Sequence, residues 1–163
     1  MIKLFLCDDN RLHLEYTAKY ISSLPRSSAF EVQTFSAPQE LLAKIRVGDV
    51  PNIAILDVEM PKIEGIPLAE QINRLCPQCK IIFLTGFTRY AYDAYYAEHI
   101  WYILKTDMEK YLPAALEKAA SALELPGAIH CHSAAAHSAP PSAEGYPVSG
   151  ARYLPYKDQN RGQ

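Results

Sequence analysis

Three carboxylates, a hydroxyl and an ammonium terminate apolar runs in this sequence. Asp8 and Asp9 follow Ile2–Cys7. Asp57 follows Ile53–Leu56 in a stretch bounded by Pro51 and Pro61, Thr85 closes Lys80–Thr85, and Lys105 closes Ile100–Lys105. Clustered carboxylates repel one another. Two unit charges about 4 Å apart cost roughly 4 kcal/mol at an effective dielectric near 20. A divalent cation relieves that repulsion, and carboxylates with a backbone carbonyl and waters suit Mg²⁺. An aspartate is also a nucleophile that can form an aspartyl phosphate. Phosphoryl transfer asks mainly for positioning and charge neutralisation. The residues therefore predict Asp57 as a phosphoacceptor. Mg²⁺ and Lys105 would neutralise the equatorial oxygens, and Thr85 would donate a hydrogen bond to one of them.

That chemistry needs elements that carry distant residues to one rim. The stretch Asn52–Pro61 reads as a strand buried on both faces of a parallel sheet. Ile2–Cys7 is a first strand, and Asn10 or Asp9 caps a helix through about Leu24, with Leu14, Ala18, Ile21 and Leu24 inward. Phe30–Phe35 alternates like an edge strand. Ser36 is a candidate N-cap with Gln39 as its capping-box partner. Leu41, Leu42 and Ile45 then form a helical stripe that Gly48 ends. Gly65 opens a third helix with Ala69, Ile72 and Leu75 inward, closed by Pro77. Lys80–Thr85 is a fourth strand, Thr88–Glu98 a helix, and Ile100–Lys105 a fifth strand. Thr106 and Glu109 form a second capping box. Met108, Tyr111, Leu112, Ala115, Leu116, Ala119 and Leu123 follow at helical spacing.

Strands alternating with helices imply a mostly parallel sheet covered by helices on both faces. Such a sheet gathers ligand chemistry beyond the carboxyl ends of its strands, where the strand order reverses. Any one of the five polar residues alone would be an ordinary strand-end cap. Their falling in order at the ends of four strands carries the functional reading.

The totals narrow the class. A chain of 163 residues holds one ordinary domain and a remnant, and its net charge of −2 gives no support to a nucleic-acid partner. No stretch approaches the roughly 20 apolar residues of a membrane span. Asp8 and Asp9 follow the first apolar run too closely for a signal peptide. The expected location is cytoplasmic, with the 4 cysteines reduced. The domain is expected to end near Leu125. The Ala-, Ser-, Pro- and His-rich stretch 126–163 is expected to be a disordered tail.

With Asp8-Asp9, Asp57 in Leu-Asp-Val-Glu-Met-Pro, Thr85-Gly86, and Lys105 in Tyr-Ile-Leu-Lys, the chain over Met1–Leu125 resembles a two-component response-regulator receiver domain of the CheY-like kind. The resemblance implies a flavodoxin-like, doubly wound α/β fold with five parallel strands in the order 2-1-3-4-5. It implies Mg²⁺ bound by Asp9, Asp57 and the backbone carbonyl of Glu59, with Asp8 acting partly through water. It implies a sensor histidine kinase or a small phosphodonor as the source of the phosphoryl group. Thr85 would move toward the phosphate and Tyr102 would turn inward, repacking the face of helix 4, strand 5 and helix 5. A homodimer through that face is expected. The protein would be a phosphoacceptor that catalyses only its own phosphotransfer and dephosphorylation, not an enzyme with turnover. Thr88–Lys118 is similar to the LytTR/AgrA-type branch, which usually carries a DNA-binding output domain and regulates transcription. Stretch 126–163 is too short for one, so either the receiver stands alone or its output domain has been lost, and this chain itself is expected to bind no nucleic acid.

One departure from that pattern is Thr106, where most of the family has proline after a cis bond. A cis bond at a non-proline residue costs about 2.5–4 kcal/mol. A trans bond is expected, or else a strained cis one, with Lys105 somewhat shifted. The departure also supports an alternative: a receiver-fold interaction module not controlled by phosphorylation. A phosphatase of the haloacid-dehalogenase type is a third reading. It places its second acid at the position of Glu59 and gives Asp8 and Asp9 no role. Cys76 and Cys79 read as loop thiols rather than half of a zinc site completed by His130, Cys131, His132 or His137. Among Tyr90, Tyr92, Tyr95, Tyr96, Trp101 and Tyr102, about half are expected in the core, the rest forming a partner patch. His13 reads as a helix-surface residue.

Overall fold

The computed structural model describes residues 1–61, 64–91 and 93–124. The polypeptide divides into two units, Met1–Ala128 and Ile129–Gln163, and the described elements all lie in the first. The tail expected beyond Leu125 lies outside the described residues.

Five strands form one parallel sheet in the order β2-β1-β3-β4-β5. They are β1 (Ile2–Cys7), β2 (Phe30–Phe35), β3 (Ile53–Leu56), β4 (Lys80–Thr85) and β5 (Trp101–Leu104). Four α-helices accompany them: α1 (Arg11–Ser23), α2 (Pro38–Arg46), α3 (Gly65–Leu75) and α4 (Met108–Glu124). Because strand side chains alternate faces, the core divides in two. Phe5, Cys7, Ala54, Leu56, Ile81 and Phe83 pack with α2 and α3. Leu4, Leu6, Ile53, Ile55, Ile82 and Leu84 pack with α1 and α4. All four residues of β3 are buried, as a central parallel strand covered on both faces requires.

The register sets the site. Cys7 pairs with Leu56, so Asp8 and Asp57 leave neighbouring strands side by side. Thr85 pairs with Leu104, so Lys105 emerges one residue past Thr85.

Several local expectations are corrected. Ser36 is not the cap of α2; Ala37 occupies that position and Pro38 starts the helix, where its missing N–H is no loss. Leu75 is exposed, and Ile66 and Leu68 join Ala69 and Ile72 on the buried face of α3. Thr17 is buried on α1 beside Leu14 and Ile21. The helix expected over 88–98 is replaced by two 3-10 turns, Arg89–Ala91 and Asp93–Tyr96. Their bonds span three residues, Ala91 N–H to Thr88 O at 3.2 Å and Ala97 N–H to Ala94 O at 3.1 Å. Crowded aromatic side chains lose rotamer freedom in an α-helix, and here Arg89 and Tyr90 are drawn off by Glu59. Ala94 and Ala97 still fill the α2–α3 side of the core.

The Thr106–Glu109 capping box does not form: a 3-10 turn over Lys105–Asp107 leads into α4, and the Glu109 carboxylate accepts Tyr16 Oη. Pro113 lies inside α4 and has no N–H for the carbonyl four residues back, which belongs to Glu109. Tyr20 Oη, from α1, donates to that carbonyl at 2.8 Å. Tyr20→Phe is expected to lower stability by about 0.5–1 kcal/mol, the worth of one ordinary hydrogen bond. Urea unfolding of the single and double variants checks it: in a Pro113→Ala background, which restores the helical donor, the loss should shrink.

Cys76 and Cys79 lie on the connection between α3 and β4, as expected, and both are buried. Cys76 caps α3, and Cys79 N–H bonds Cys76 O at 2.9 Å. Burial pushes the Cys79 thiol up to about 12, so it is inert. His130, Cys131, His132 and His137 lie outside the described residues. Tyr90, Trp101 and Tyr102 are partly buried against the core; Tyr92 and the side chains of Tyr95 and Tyr96 lie outside what is described. Among the described residues no helix is long and apolar enough to cross a membrane.

Candidate functional site

Asp8 follows β1, and its Oδ1 accepts the Asn10 N–H at 2.9 Å. Asn10 in turn caps α1, its Oδ1 accepting Leu12 N–H at 3.0 Å and His13 N–H at 3.4 Å. This chain of short-range bonds aims the first turn of α1 across the carboxyl end of the sheet. Asp57 follows β3, and its Oδ1 accepts Val58 N–H at 2.6 Å and Glu59 N–H at 3.3 Å. Two backbone donors hold that carboxylate in one orientation.

Both carboxylates are buried, Asp8 at 4% and Asp57 at 6% exposure. Lys105 Nζ lies 2.6 Å from Asp8 Oδ2 and 2.7 Å from Asp57 Oδ2, bridging the two. Asp9 is exposed at the rim. Asp8, Asp9 and Asp57 can each bring one carboxylate oxygen within 4.8 Å of the others. That hard-oxygen donor set fits a small divalent cation such as Mg²⁺.

The electrostatics follow from burial and this bridge. Burial pushes the Asp8 carboxyl above the usual range, against the pull of Lys105 and the Asn10 amide. Burial alone would lower Lys105, but its hydrogen bonds to Asp57 and Asp8 outweigh that and hold the ammonium above its ordinary value. Burial, then nearby Asp8, pushes the Cys7 thiol up to about 12. Burial and Asp57 push Tyr102 up to about 12.

Thr85 is fully buried, and its Oγ1 accepts Phe87 N–H at 3.4 Å. Tyr102 Oη donates to Phe87 O at 2.5 Å. The two residues expected to switch are thus tied to the two sides of one residue's backbone. Glu59 keeps its amide on Asp57, while its carboxylate accepts Arg89 and, at 3.1 Å, Tyr90 Oη. The Arg89 guanidinium also lies 4.8 Å from the ring centroids of both Phe87 and Tyr90. The Lys105–Thr106 bond is trans, and Lys105 still reaches both carboxylates.

Two contacts lie outside the expectations drawn from sequence. His13 is exposed, as a helix-surface residue should be, yet its Nδ1 sits 2.8 Å from Lys105 Nζ. The available signal was its place in the first turn after Asp8 and Asp9, on the same rim. The Glu59–Arg89 pair joins two loops, and its signal was opposite charge shortly after Asp57 and after Thr85.

Fold and crevice together define a doubly wound α/β domain whose acidic residues meet a lysine where the strand order reverses. The response regulator receiver domain family matches residues 4–117. The chain belongs to that family, and is a receiver of two-component signalling. It is 32% identical, over 124 residues, to an uncharacterized transcriptional regulatory protein, YesN, of Bacillus subtilis strain 168. The match covers 72% of this chain and 32% of that relative, so the chain spans about a third of its length. A CheY-like receiver domain protein from Methanospirillum hungatei JF-1 superposes with a TM-score of 0.65 at 26% identity, over 75% of this chain and 96% of that one. The response regulator TrrA of Thermotoga maritima, crystallised in complex with Mg²⁺–BeF, gives a TM-score of 0.60 at 26% identity, over 73% of this chain and 99% of that one.

Proposed function

We propose that this receiver accepts a phosphoryl group on Asp57 from a sensor histidine kinase, with Mg²⁺ in the acidic crevice. The observation that carries the reading is the convergence of Asp8, Asp9 and Asp57 at the sheet's switch point, with Lys105 bridging Asp8 and Asp57. Asp8, Asp9 and Asp57, with the Glu59 backbone carbonyl, would hold Mg²⁺, which supplies charge neutralisation to the transferring group. A carboxylate oxygen of Asp57 attacks phosphorus, and the phosphorus–nitrogen bond of the donor phosphohistidine breaks. The imidazole leaves with the bonding electron pair and takes up a proton, leaving an acyl phosphate on Asp57. Val58 and Glu59 amides fix the attacking carboxylate. Lys105 keeps its bond to Asp57 and stabilises the equatorial charge.

The output follows from Phe87. When Thr85 turns its hydroxyl to the phosphoryl group, Oγ1 gives up the Phe87 N–H. That loosens the same backbone unit that holds Tyr102 Oη. Tyr102 then turns inward and remodels the face of the 89–96 turns, β5 and α4. Such a coupling is worth about 1–3 kcal/mol in known switches. This face would carry a homodimer, with transcription regulation as the downstream consequence. The chemistry is phosphotransfer to itself and its own hydrolysis, without turnover of a separate substrate.

Intact-mass analysis with acetyl phosphate and Mg²⁺ tests it. One phosphoryl adduct is expected on the wild type and none on Asp57→Asn. A wild type that stays unmodified sinks the proposal and leaves a receiver-fold interaction module indifferent to phosphorylation.

A further inference from the structure

Lys105 is the cation of the crevice, and its ammonium has three N–H bonds and no lone pair. Its three partners are Asp57 Oδ2 at 2.7 Å, Asp8 Oδ2 at 2.6 Å and His13 Nδ1 at 2.8 Å. The third must be accepted by the ring, so the His13 proton sits on Nε2. The first two partners are buried carboxylates that also belong to the cation-binding set. Among the described residues His13 is the one partner that is not a carboxylate, and it reaches in from the rim, with half of its side chain exposed.

A divalent cation held by Asp8, Asp9 and Asp57 competes with the ammonium for Asp8. It also repels that ammonium, since two like charges at contact distance cost kcal/mol even with strong screening. Lys105 then keeps Asp57 and its bond to the His13 ring, whose Nδ1 also lies 3.6 Å from Asp8 Oδ2. We propose that His13 is a positioning residue for Lys105: it gives the ammonium a partner outside the carboxylate set, so that Lys105 can yield Asp8 to Mg²⁺ while staying at Asp57. The inference rests on the phosphoacceptor reading of the site and extends it to a residue four positions after Asp9.

The sign follows from counting partners. Without His13, the metal-free ammonium still has two carboxylates. With the cation bound it has one. A hydrogen bond matters more to a half-buried charge that has fewer others, so losing His13 penalises the metal-bound state more.

Calorimetric titration of the full chain with MgCl₂ tests this, alongside the Lys105 Nζ nitrogen resonance. His13→Ala is expected to bind Mg²⁺ roughly fivefold more weakly than wild type, the differential worth of one charge-assisted bond. His13→Asn places an amide oxygen where Nδ1 was and is expected to stay within about twofold of wild type. The Lys105 Nζ resonance should remain hydrogen-bonded on Mg²⁺ addition in wild type and His13→Asn, and exchange with solvent in His13→Ala. Equal or tighter Mg²⁺ binding by His13→Ala, or a His13→Asn as weak as His13→Ala, overturns the positioning role while leaving the phosphoacceptor reading intact. A wild type that neither binds Mg²⁺ nor takes a phosphoryl group from acetyl phosphate overturns both.

Discussion

Gly65→Ala is expected to destabilise this protein by about 3 kcal/mol or more, the range of severe overpacking. A Cβ on Gly65 would sit 1.9 Å from the Asp57 carbonyl oxygen and 2.7 Å from Val58 Cα. Both are backbone atoms, so no flexible side chain can yield. The same glycine donates its N–H to Val58 O at 2.8 Å, which pins the start of α3 against the segment that follows β3. Two relaxations are open. Either α3 lifts away, exposing Ile66 and Leu68, or the Asp57–Val58 peptide shifts and carries the Asp57 carboxylate with it. Urea unfolding reads the first, and the rate of labelling by acetyl phosphate in the folded fraction reads the second. Gly48→Ala is the control. Gly48 has a φ of +90°, and a Cβ there would meet nothing within 4 Å, so only backbone strain of about 1–2 kcal/mol is expected. If Gly65→Ala loses no more than Gly48→Ala and is labelled at the wild-type rate, the close approach at Asp57 is not what holds the site.

The contrast between those glycines shows what could be read from the chain and what could not. That Gly65 opens a helix was legible; that it lies against the backbone carbonyl of Asp57 was not, because the contact depends on how tightly α3 docks. β1, β3 and β4 were legible as apolar runs that end at a polar residue, and β2 by its edge-strand alternation. Strand order makes β1 and β3 neighbours, and the Cys7–Leu56 register then sets Asp8 beside Asp57. Segment 88–98 misled for the opposite reason. Its alanines and tyrosines sit at helical spacing, but Arg89 and Tyr90 satisfy Glu59, two residues past Asp57 and on another loop. Leu75 lies three positions after Ile72 and is exposed, because Cys76, four positions after Ile72, takes the buried place. Local rules see neighbours along the chain, whereas contacts between loops are decided by the crossovers that bring them together.

Lys105→Met tests the crevice as an electrostatic unit. It leaves the stem of the side chain and removes the ammonium that Asp8 and Asp57 share. Breaking a fully buried pair costs roughly 3–5 kcal/mol, and Lys105 is 19% exposed, so about 2–3 kcal/mol is expected near neutral pH without Mg²⁺. The pH dependence has a definite shape. The folded Lys105 is held above its ordinary 10.5, so its contribution is fully present below that value and is lost as pH rises through the folded pKa above it. Asp8 is held above its ordinary 3.8 by burial, and removing the ammonium raises it further. Its ionised form then penalises the variant at neutral pH, and protonation relieves that penalty as pH falls toward 3.8. The stability gap between wild type and variant should therefore form a plateau that closes at both the acid and the alkaline ends. Mg²⁺ should stabilise the variant more than the wild type. In the wild type the cation must compete with Lys105 for Asp8, whereas in the variant it meets two uncompensated carboxylates. A gap that is flat across pH, or an equal gain from Mg²⁺ in both proteins, would mean that Lys105 serves Asp8 and Asp57 by packing rather than by charge.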